Sequence, residues 1–316
     1  MIGIVILNYN NDSEIKNCIN SIALYTNLSK VKLLIVDNGS LEAKHKNVKE
    51  FISEKFPSCQ YMEQSGDECQ LKAVNYLRLY KNLGYACGNN AGLELMYKDD
   101  EISHVLIVNS DILFTCDIVE PLLLKSSEIP NIGVISPILY KLNGEIDYCC
   151  ARRNYNKKDL LLTFSIFLSR RYHERNAKNK ILLTNPQLLS DELIEIELPS
   201  GSCMLFKKDV LKEIGGFDDN TFLYYEESIL YKKLQAINKV NYLLPSVSCI
   251  HVGGATTTTT KQPYFLKKCN YESLMYYCKT YENFKCYQLL YIWITGHYWL
   301  FRLRLGRLYR KFLRHD

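Results

Sequence analysis

The stretch ISHVLIVNSDILF, residues 102–114, is a hydrophobic, strand-forming run that stops at Asn109-Ser110-Asp111 and then starts again. A buried strand ending on a carboxylate puts that charge at the carboxyl edge of a parallel sheet, where open α/β folds bind their ligands. A carboxylate there suits a divalent metal with a phosphate. A polar turn after a strand is commonplace, so the tripeptide alone decides little. Its company decides more: a first strand ending in Asn8-Tyr9-Asn10, a second ending in Asp37-Asn38-Gly39-Ser40, and an Asn/Gly-rich segment at 82–92.

Residues 2–7, 31–37 and 104–109 read as apolar, β-branched strands, each followed by a polar turn and a helical pattern. Repeated strand, turn and helix imply right-handed crossovers and a mostly parallel sheet. The first helix is predicted to start near Asp12 or Ser13, with Ile15, Ile19 and Ile22 inward, and a later one to run from about Ala86 to Tyr97. The segment NLGYACGNNAG, 82–92, opens that later helix, so its glycines can bring backbone N–H groups close to an anionic or planar ligand. It lacks the Gly-Lys-Ser/Thr ending of a P-loop. Residues 150–190 read as a polar, basic insertion, partly helical. Ile194 to Phe206 predicts two strands around a Pro199-Ser200-Gly201 turn. A short helix at Lys208–Ile214, the Gly215-Gly216-Phe217-Asp218 turn, a helix from about Glu226 to Ile237 and a strand near Val240–Leu244 leading to Ile250-His251 follow. After Gln262 the pattern is helical.

With 316 residues, 47% hydrophobic and 23% charged, the chain is globular by composition and long enough for one large domain or two. There is no internal repeat, and the run Thr256 to Thr260 reads as a loop. The start, MIGIVILNYNND, lacks a basic leader and breaks on an Asn, which predicts a first strand rather than a signal peptide and a cytoplasmic protein. Twelve cysteines scattered through apolar stretches predict reduced, buried thiols; no CxxC pair occurs, and Cys149-Cys150 lacks zinc-ligand spacing.

The net charge of +5 is concentrated in the tail. From Arg302 onward there are six basic residues and one acid, a balance of +5, so residues 1–301 sum to zero. On a helix, Phe301, Leu305, Leu308, Tyr309 and Phe312 fall on one side while Arg304, Arg307, Lys311 and Arg314 fall on the other. Tyr287 to Leu300 is apolar but too short for a span of about 20 residues, and it contains His297, so an interfacial membrane contact is predicted. Nucleic acid is a poor partner for a chain with no wider basic footprint. Contact with a second copy through the apolar side, giving a homodimer, is the remaining reading.

The pieces IVILNYN (4–10), LLIVDNGS (33–40), NLGYACGNNAGL (82–93), VLIVNSD (105–111), PSGSCMLFKKDVLKEIGGFDDNTFLYYEE (199–227) and His251, in this order, resemble glycosyltransferase family 2. These are the inverting enzymes of the GT-A fold, and the likeness is to the bacterial rhamnosyltransferase-like group that builds surface polysaccharides. It covers about residues 2–255. The resemblance implies an α/β, Rossmann-like, mostly parallel sheet flanked by helices over residues 1–260. It assigns a nucleotide-sugar half to about 1–112 and an acceptor half to about 113–260, with a helical, basic extension at 261–316. It also implies a dTDP- or UDP-linked sugar donor and a saccharide acceptor, lipid-linked, at the inner face of the cell membrane.

Such a reaction must neutralise charge developing on a leaving nucleoside diphosphate, and Mg²⁺ or Mn²⁺ does so with few protein ligands. By this resemblance Asp111 matches the metal-binding second Asp, and Asn109 replaces the first Asp of the family's DxD pattern. His251 matches a late histidine, either a metal or diphosphate contact or a structural residue. Asp37 matches the carboxylate that accepts a hydrogen bond from the donor's pyrimidine, or else caps its own turn. Asn8 and Tyr9 are expected to line the same pocket, with Asn82, Gly84 and Asn90 closing over it. Glu226-Glu227 matches the Glu-Asp pair carrying the base at a helix start, with Glu227 the favoured base; both acids would also suit the helix dipole. Ile229 stands where a second acid is usual. Phe222, Tyr224 and Tyr225 form a sugar-stacking platform or core, and Gly201, Ser202, Gly216, Phe217 and Asp218 shape the acceptor side. A sugar nucleotidyltransferase would need a Gly-rich, Arg/Lys-bearing loop where this chain has NYNND. A catalytically silent glycan-binding or assembly protein is kept open by Asn109, Glu227 and Ile229.

Overall fold

The computed structural model describes residues 1–63, 70–166, 192–253 and 263–312, with side chains up to 306. The first half runs β1 (Ile2–Asn8), α1 (Glu14–Tyr25), β2 (Val31–Asn38), α2 (Glu42–Lys55), β3 (Gln60–Glu63), β4 (Val74–Leu79), α3 (Gly84–Lys98), β5 (His104–Asn109), β6 (Ile112–Phe114), α4 (Val119–Glu128) and β7 (Ile132–Tyr140). Then come α5 (Lys157–Thr163), β8 (Ile194–Ile196), β9 (Cys203–Lys207), α6 (Lys208–Glu213), α7 (Glu226–Ala236), β10 (Val240–His251), α8 (Pro263–Thr280) and α9 (Cys286–Phe312). The sheet order is β3-β4-β2-β1-β5-β9-β7-β10-β6, with β8 beside β10. From β3 to β5 all pairs are parallel; β9 is antiparallel to both its neighbours, β7 and β10 are parallel, and β6 and β8 run against β10. The result is the mixed, mostly parallel sheet of a GT-A fold, with helices on both faces.

The central strands are buried on both faces because each face carries helices. Alternation along a strand divides the core. Ile4 and Ile6 of β1 and Leu33 and Ile35 of β2 meet Ile15, Ile19 and Ile22 of α1 and Val48 and Ile52 of α2. The residues between them, Val5, Leu34 and Val36, meet Ala86, Leu93 and Met96 of α3, with Leu230 and Leu234 of α7 nearby. A third cluster joins α5, α7, α8 and α9 through Leu160, Ile229, Leu274, Tyr277 and Ile292. Ile229 therefore sits at the seam with the C-terminal helices, which gives a packing reason for an apolar residue there.

β7 and β10 contain prolines. Pro137 pairs with Leu244, and the register then slips so that Ile138 meets Ser248, looping Pro245–Val247 out of the ladder. A bulge removes the need for the N–H a proline lacks. The strand predicted near Val240–Leu244 thus continues across this bulge to His251. The C-terminal helical pattern breaks between α8 and α9, where Asn283 adopts a left-handed φ of 49°. Most of the 150–190 insertion, including residues 167–191, and the run Thr256 to Thr260 lie outside the described residues, as do the side chains of Leu308, Tyr309, Lys311, Phe312 and Arg314. All described cysteines are free thiols.

Buried Asn241 ties this half of the sheet together: its Oδ1 accepts from Val134 N–H at 3.2 Å and its Nδ2 donates to Glu197 C=O at 2.8 Å. Asn241→Leu removes the partner of both backbone groups, at a cost of roughly 2–6 kcal/mol, since each buried orphan costs about 1–3 kcal/mol. Urea unfolding of the variant is expected to show that loss; stability within about 0.5 kcal/mol of wild type contradicts this role.

Candidate functional site

The carboxyl ends of β1, β2 and β5 open into a cleft of about 290 Å³. Tyr9, Asn38, Asn82, Gly84, Asn109 and Asp111 line one side, with Ser202, Phe222, Phe265 and His251 opposite. Asn38 organises the turn into α3: its Nδ2 donates to Asn82 Oδ1 at 3.1 Å and Gly84 C=O at 2.9 Å, and its Oδ1 accepts from Leu83 N–H at 3.0 Å. Gly84 is required there. Its φ is +86°, and a Cβ would stand 2.3 Å from the Phe222 carbonyl oxygen that Tyr85 N–H reaches at 3.0 Å.

Strand pairing sets the charged pair in the cleft. β6 runs antiparallel to the end of β10 with Ile112 opposite His251, so Asp111 falls beside the imidazole. Val252 N–H donates to Asp111 C=O at 2.9 Å, fixing both turns. Asp111 Oδ2 lies 3.6 Å from His251 Nε2, and Ser202 Oγ lies 3.4 Å from the same nitrogen. The other ring nitrogen contacts Asp147 Oδ2 at 2.7 Å, a carboxylate that orients the ring. Burial disfavours the charged imidazole, yet Asp111 and Asp147 together push its pKa up to about 9. In return the His251 hydrogen bond, helped by Cys149 N–H, holds Asp147 down to about 2 against its burial. Among the described residues no three or more His, Cys, Asp or Glu side chains cluster as a metal cage. One carboxylate and, once it gives up the proton that Asp111 and Asp147 favour, one imidazole nitrogen suit a cation whose remaining ligands are phosphate and water.

Tyr85, Asn109, Ser202, Leu223 and His251 also form a wall of a second cavity, of about 820 Å³. Glu227 stands there, a quarter exposed, with Oε1 accepting from Gly201 N–H at 3.2 Å and facing Arg152 Nη2 at 3.4 Å. Glu226 is buried, and its Oε1 has no hydrogen-bond partner among the described residues. Burial and then the Glu227 charge push its pKa up, favouring the neutral form relative to an exposed carboxyl. Both acids open α7 directly after Tyr224 and Tyr225, which hold left-handed φ values of 76° and 69°.

Tyr9, Asn82, Gly84, Asn109, Asp111, Ser202 and His251 come together in the first cavity, and Gly201, Glu226 and Glu227 in the second. Six expected site residues stand elsewhere. Asn8 and Asp37 are register partners on the opposite face of the sheet from the cleft. Asp37 is fully buried, accepting from Ser40 N–H and Tyr76 Oη at 3.1 Å each and contacting His45 Nδ1 at 3.1 Å, which is the turn-cap arrangement rather than an open base-binding carboxylate. Asn90 exchanges two hydrogen bonds with the Phe217 backbone, at 2.8 and 2.9 Å. Phe217 is core, edge-on to Tyr85 and Phe206, and Gly216 C=O accepts from Lys233 Nζ. Asp218 accepts from Tyr276 Oη at 2.8 Å and from Tyr281 Oη, bracing α8. These groups support the cleft floor from behind. Sequence reasoning missed Asn38, Asp147, Arg152, Tyr155 and Lys267. Only Asn38, next to Asp37 at a strand end, carried a local signal.

The profile of glycosyl transferase family 2 matches residues 3–215. Among curated proteins, the chain is 24% identical over 229 residues to the low-salt glycan biosynthesis hexosyltransferase Agl10 of Haloferax volcanii, covering 72% of this chain and 59% of that protein. It is 23% identical over 251 residues to the N-acetylglucosaminyl-diphospho-decaprenol L-rhamnosyltransferase of Mycobacterium tuberculosis, covering 79% and 76%. Among solved structures, GalNAc-T7 with UDP, GalNAc and Mn²⁺ superposes with a TM-score of 0.57 at 13% identity, over 79% of this chain and 43% of that one. The mannosyltransferase PcManGT of Pyrobaculum calidifontis, with GDP-Man and Mn²⁺, gives 0.52 at 15%, over 95% and 69%. On the profile match, supported by a fold shared with both solved enzymes, the chain belongs to glycosyl transferase family 2.

Proposed function

We propose that the protein moves a sugar, with inversion at the anomeric carbon, from a dTDP- or UDP-linked donor to a saccharide carried on a lipid. The observation that carries this reading is the pair of cavities with a common wall, Asp111 and His251 in one and Glu227 in the other. Residues 1–112 would hold the donor and 113–260 the acceptor. Asp111 and His251 are the residues to hold Mg²⁺ or Mn²⁺, which when bound neutralises charge growing on the diphosphate. Tyr9, Asn38, Asn82 and Gly84 would enclose the nucleoside. Glu227 takes the proton of the attacking hydroxyl, its carboxylate aimed by Gly201 N–H. Glu226, whose burial favours its neutral form, is the poorer base. The mycobacterial relative, by its name a rhamnosyltransferase acting on a decaprenol-linked sugar, supports a lipid-linked acceptor.

The C-terminal helices fit such an acceptor. Tyr287, Tyr291, Ile294, Tyr298, Phe301 and Leu305 recur every three or four residues along α9 and are all exposed, while Ile292, Thr295 and Leu300 are buried. No helix among the described residues is long and apolar enough to cross a membrane. An exposed aromatic stripe next to a basic tail suits the interface of an anionic membrane, where each basic residue contributes about 1 kcal/mol. We place the protein peripherally, at the cytoplasmic face. A homodimer through the same stripe is the second reading, favoured by its heptad-like spacing.

Asp111→Ala is expected to abolish transfer and the Mn²⁺-dependent stabilisation by UDP or dTDP in a thermal-shift assay; undiminished transfer by the folded variant contradicts the assignment. Glu227→Gln is expected to lower turnover about 10²- to 10⁴-fold with donor affinity kept, and Glu226→Gln far less. If the Glu226 variant alone is inactive, the base is the wrong neighbour. Phe301→Ser with Leu305→Ser is expected to release the protein from vesicles containing anionic lipid; unchanged co-sedimentation sinks the membrane reading, and a change from dimer to monomer in sedimentation supports the second.

A further inference from the structure

The larger cavity contains two cationic side chains that the transfer step itself does not use. Arg152 follows β7 and faces Glu227. Lys267, on α8, is half-buried, with its Nζ 4.1 Å from the centroid of the Phe164 ring and no carboxylate at ion-pair distance among the described residues. Burial lowers its pKa, the mark of an ammonium withdrawn from water without an anion to answer it. A ring face offsets only part of that loss. The cavity is mixed: Pro263, Leu266, Leu223 and Tyr224 supply apolar surface, and Asn270, one turn along α8 from Lys267, and the acids Glu226 and Glu227 line it as well. An ammonium and a guanidinium set among apolar side chains match an amphiphile with an anionic head. Helix α8 packs on α9, whose exposed stripe is the proposed membrane contact, so a lipid tail would leave the cavity beside the surface that meets the bilayer.

We propose that Lys267, together with Arg152, binds the phosphate ester joining the acceptor sugar to its lipid carrier, so that the site selects a phospholipid-linked sugar over a free saccharide. This rests on the glycosyltransfer reading above and gives the acceptor a recognition element apart from the catalytic base. The phosphate recovers the desolvation cost of the ammonium, and the chain covers the apolar wall.

The test uses geranyl diphosphate, a water-soluble isoprenoid diphosphate, titrated calorimetrically into the full chain in EDTA so that no metal assists binding. Wild type is expected to bind it, geraniol and inorganic pyrophosphate at least tenfold more weakly. Lys267→Gln is expected to weaken binding tenfold or more, Lys267→Arg to keep it, and Asp111→Ala to leave it unchanged. Equal affinity in Lys267→Gln, or geraniol binding as tightly as the diphosphate, overturns the proposal; the geraniol comparison needs only wild type and stands even if that variant does not fold. Pyrophosphate binding as tightly as geranyl diphosphate overturns the lipid part. Competitive displacement by UDP or dTDP with Mn²⁺ would assign these cations to the donor and also overturn it. Any of these failures leaves the transferase reading standing so long as nucleotide with Mn²⁺ still stabilises wild type and not Asp111→Ala.

Discussion

The short antiparallel pairing of β6 with the end of β10 is the constraint on which the site depends. Only three residue pairs make it, Ile112–His251, Leu113–Ile250 and Phe114–Cys249. Without it, the polar turn ending β5 would be one more turn at a sheet edge. With it, a carboxylate from residue 111 and an imidazole from residue 251 share one wall. Beyond its proline-bearing bulge the same end of β10 is held on both edges, Cys249 and Ile250 pairing with β7 on one side and β6 on the other. Between them, Asp111 and Asp147 surround His251 with negative charge, an environment ready to accept a cation.

At the second cavity the decisive constraint is backbone strain. Two consecutive tyrosines, 224 and 225, adopt left-handed φ values, a conformation that costs side-chain-bearing residues about 1–3 kcal/mol each. The C-terminal helices hold them: Tyr225 stacks on Tyr277 at 5.5 Å, and Ser273 Oγ donates to Leu223 C=O at 2.9 Å. The strained pair turns the chain so that Glu226 and Glu227 open α7 at the cavity. Helix α8 therefore supports the conformation from which Glu226 and Glu227 enter the cavity, through Tyr277 and Ser273.

The centre of the fold was legible because β1, β2 and β5 are long apolar runs ending on polar turns. Legibility stopped where both faces of a strand are buried. A period-2 pattern cannot show which face Asp37 takes when Val36, Asp37 and Asn38 are all covered, so it does not tell that Asn38 rather than Asp37 lines the cleft. Asn90 shows the same limit on a helix: the Asn/Gly-rich segment marks the cleft, but helical phase turns that amide toward the Phe217 backbone. Gly216, Phe217 and Asp218 sit on a turn whose glycines signalled a close approach, and the groups that approach it are Asn90, Tyr276 of α8 and Tyr281 just beyond it. Asp147 reaches His251 from 104 residues away, a contact no local pattern carries.

We infer that Asp111 and His251 form an incomplete cation site which a nucleoside diphosphate completes. Titration of Mn²⁺ followed by its electron paramagnetic resonance signal, with and without UDP or dTDP, tests it most directly on wild type and His251→Gln. Weak Mn²⁺ binding is expected for wild type alone, at least tenfold tighter binding with nucleotide, and loss of that enhancement in the variant. Tight binding without nucleotide, or an undiminished enhancement in His251→Gln, would contradict it.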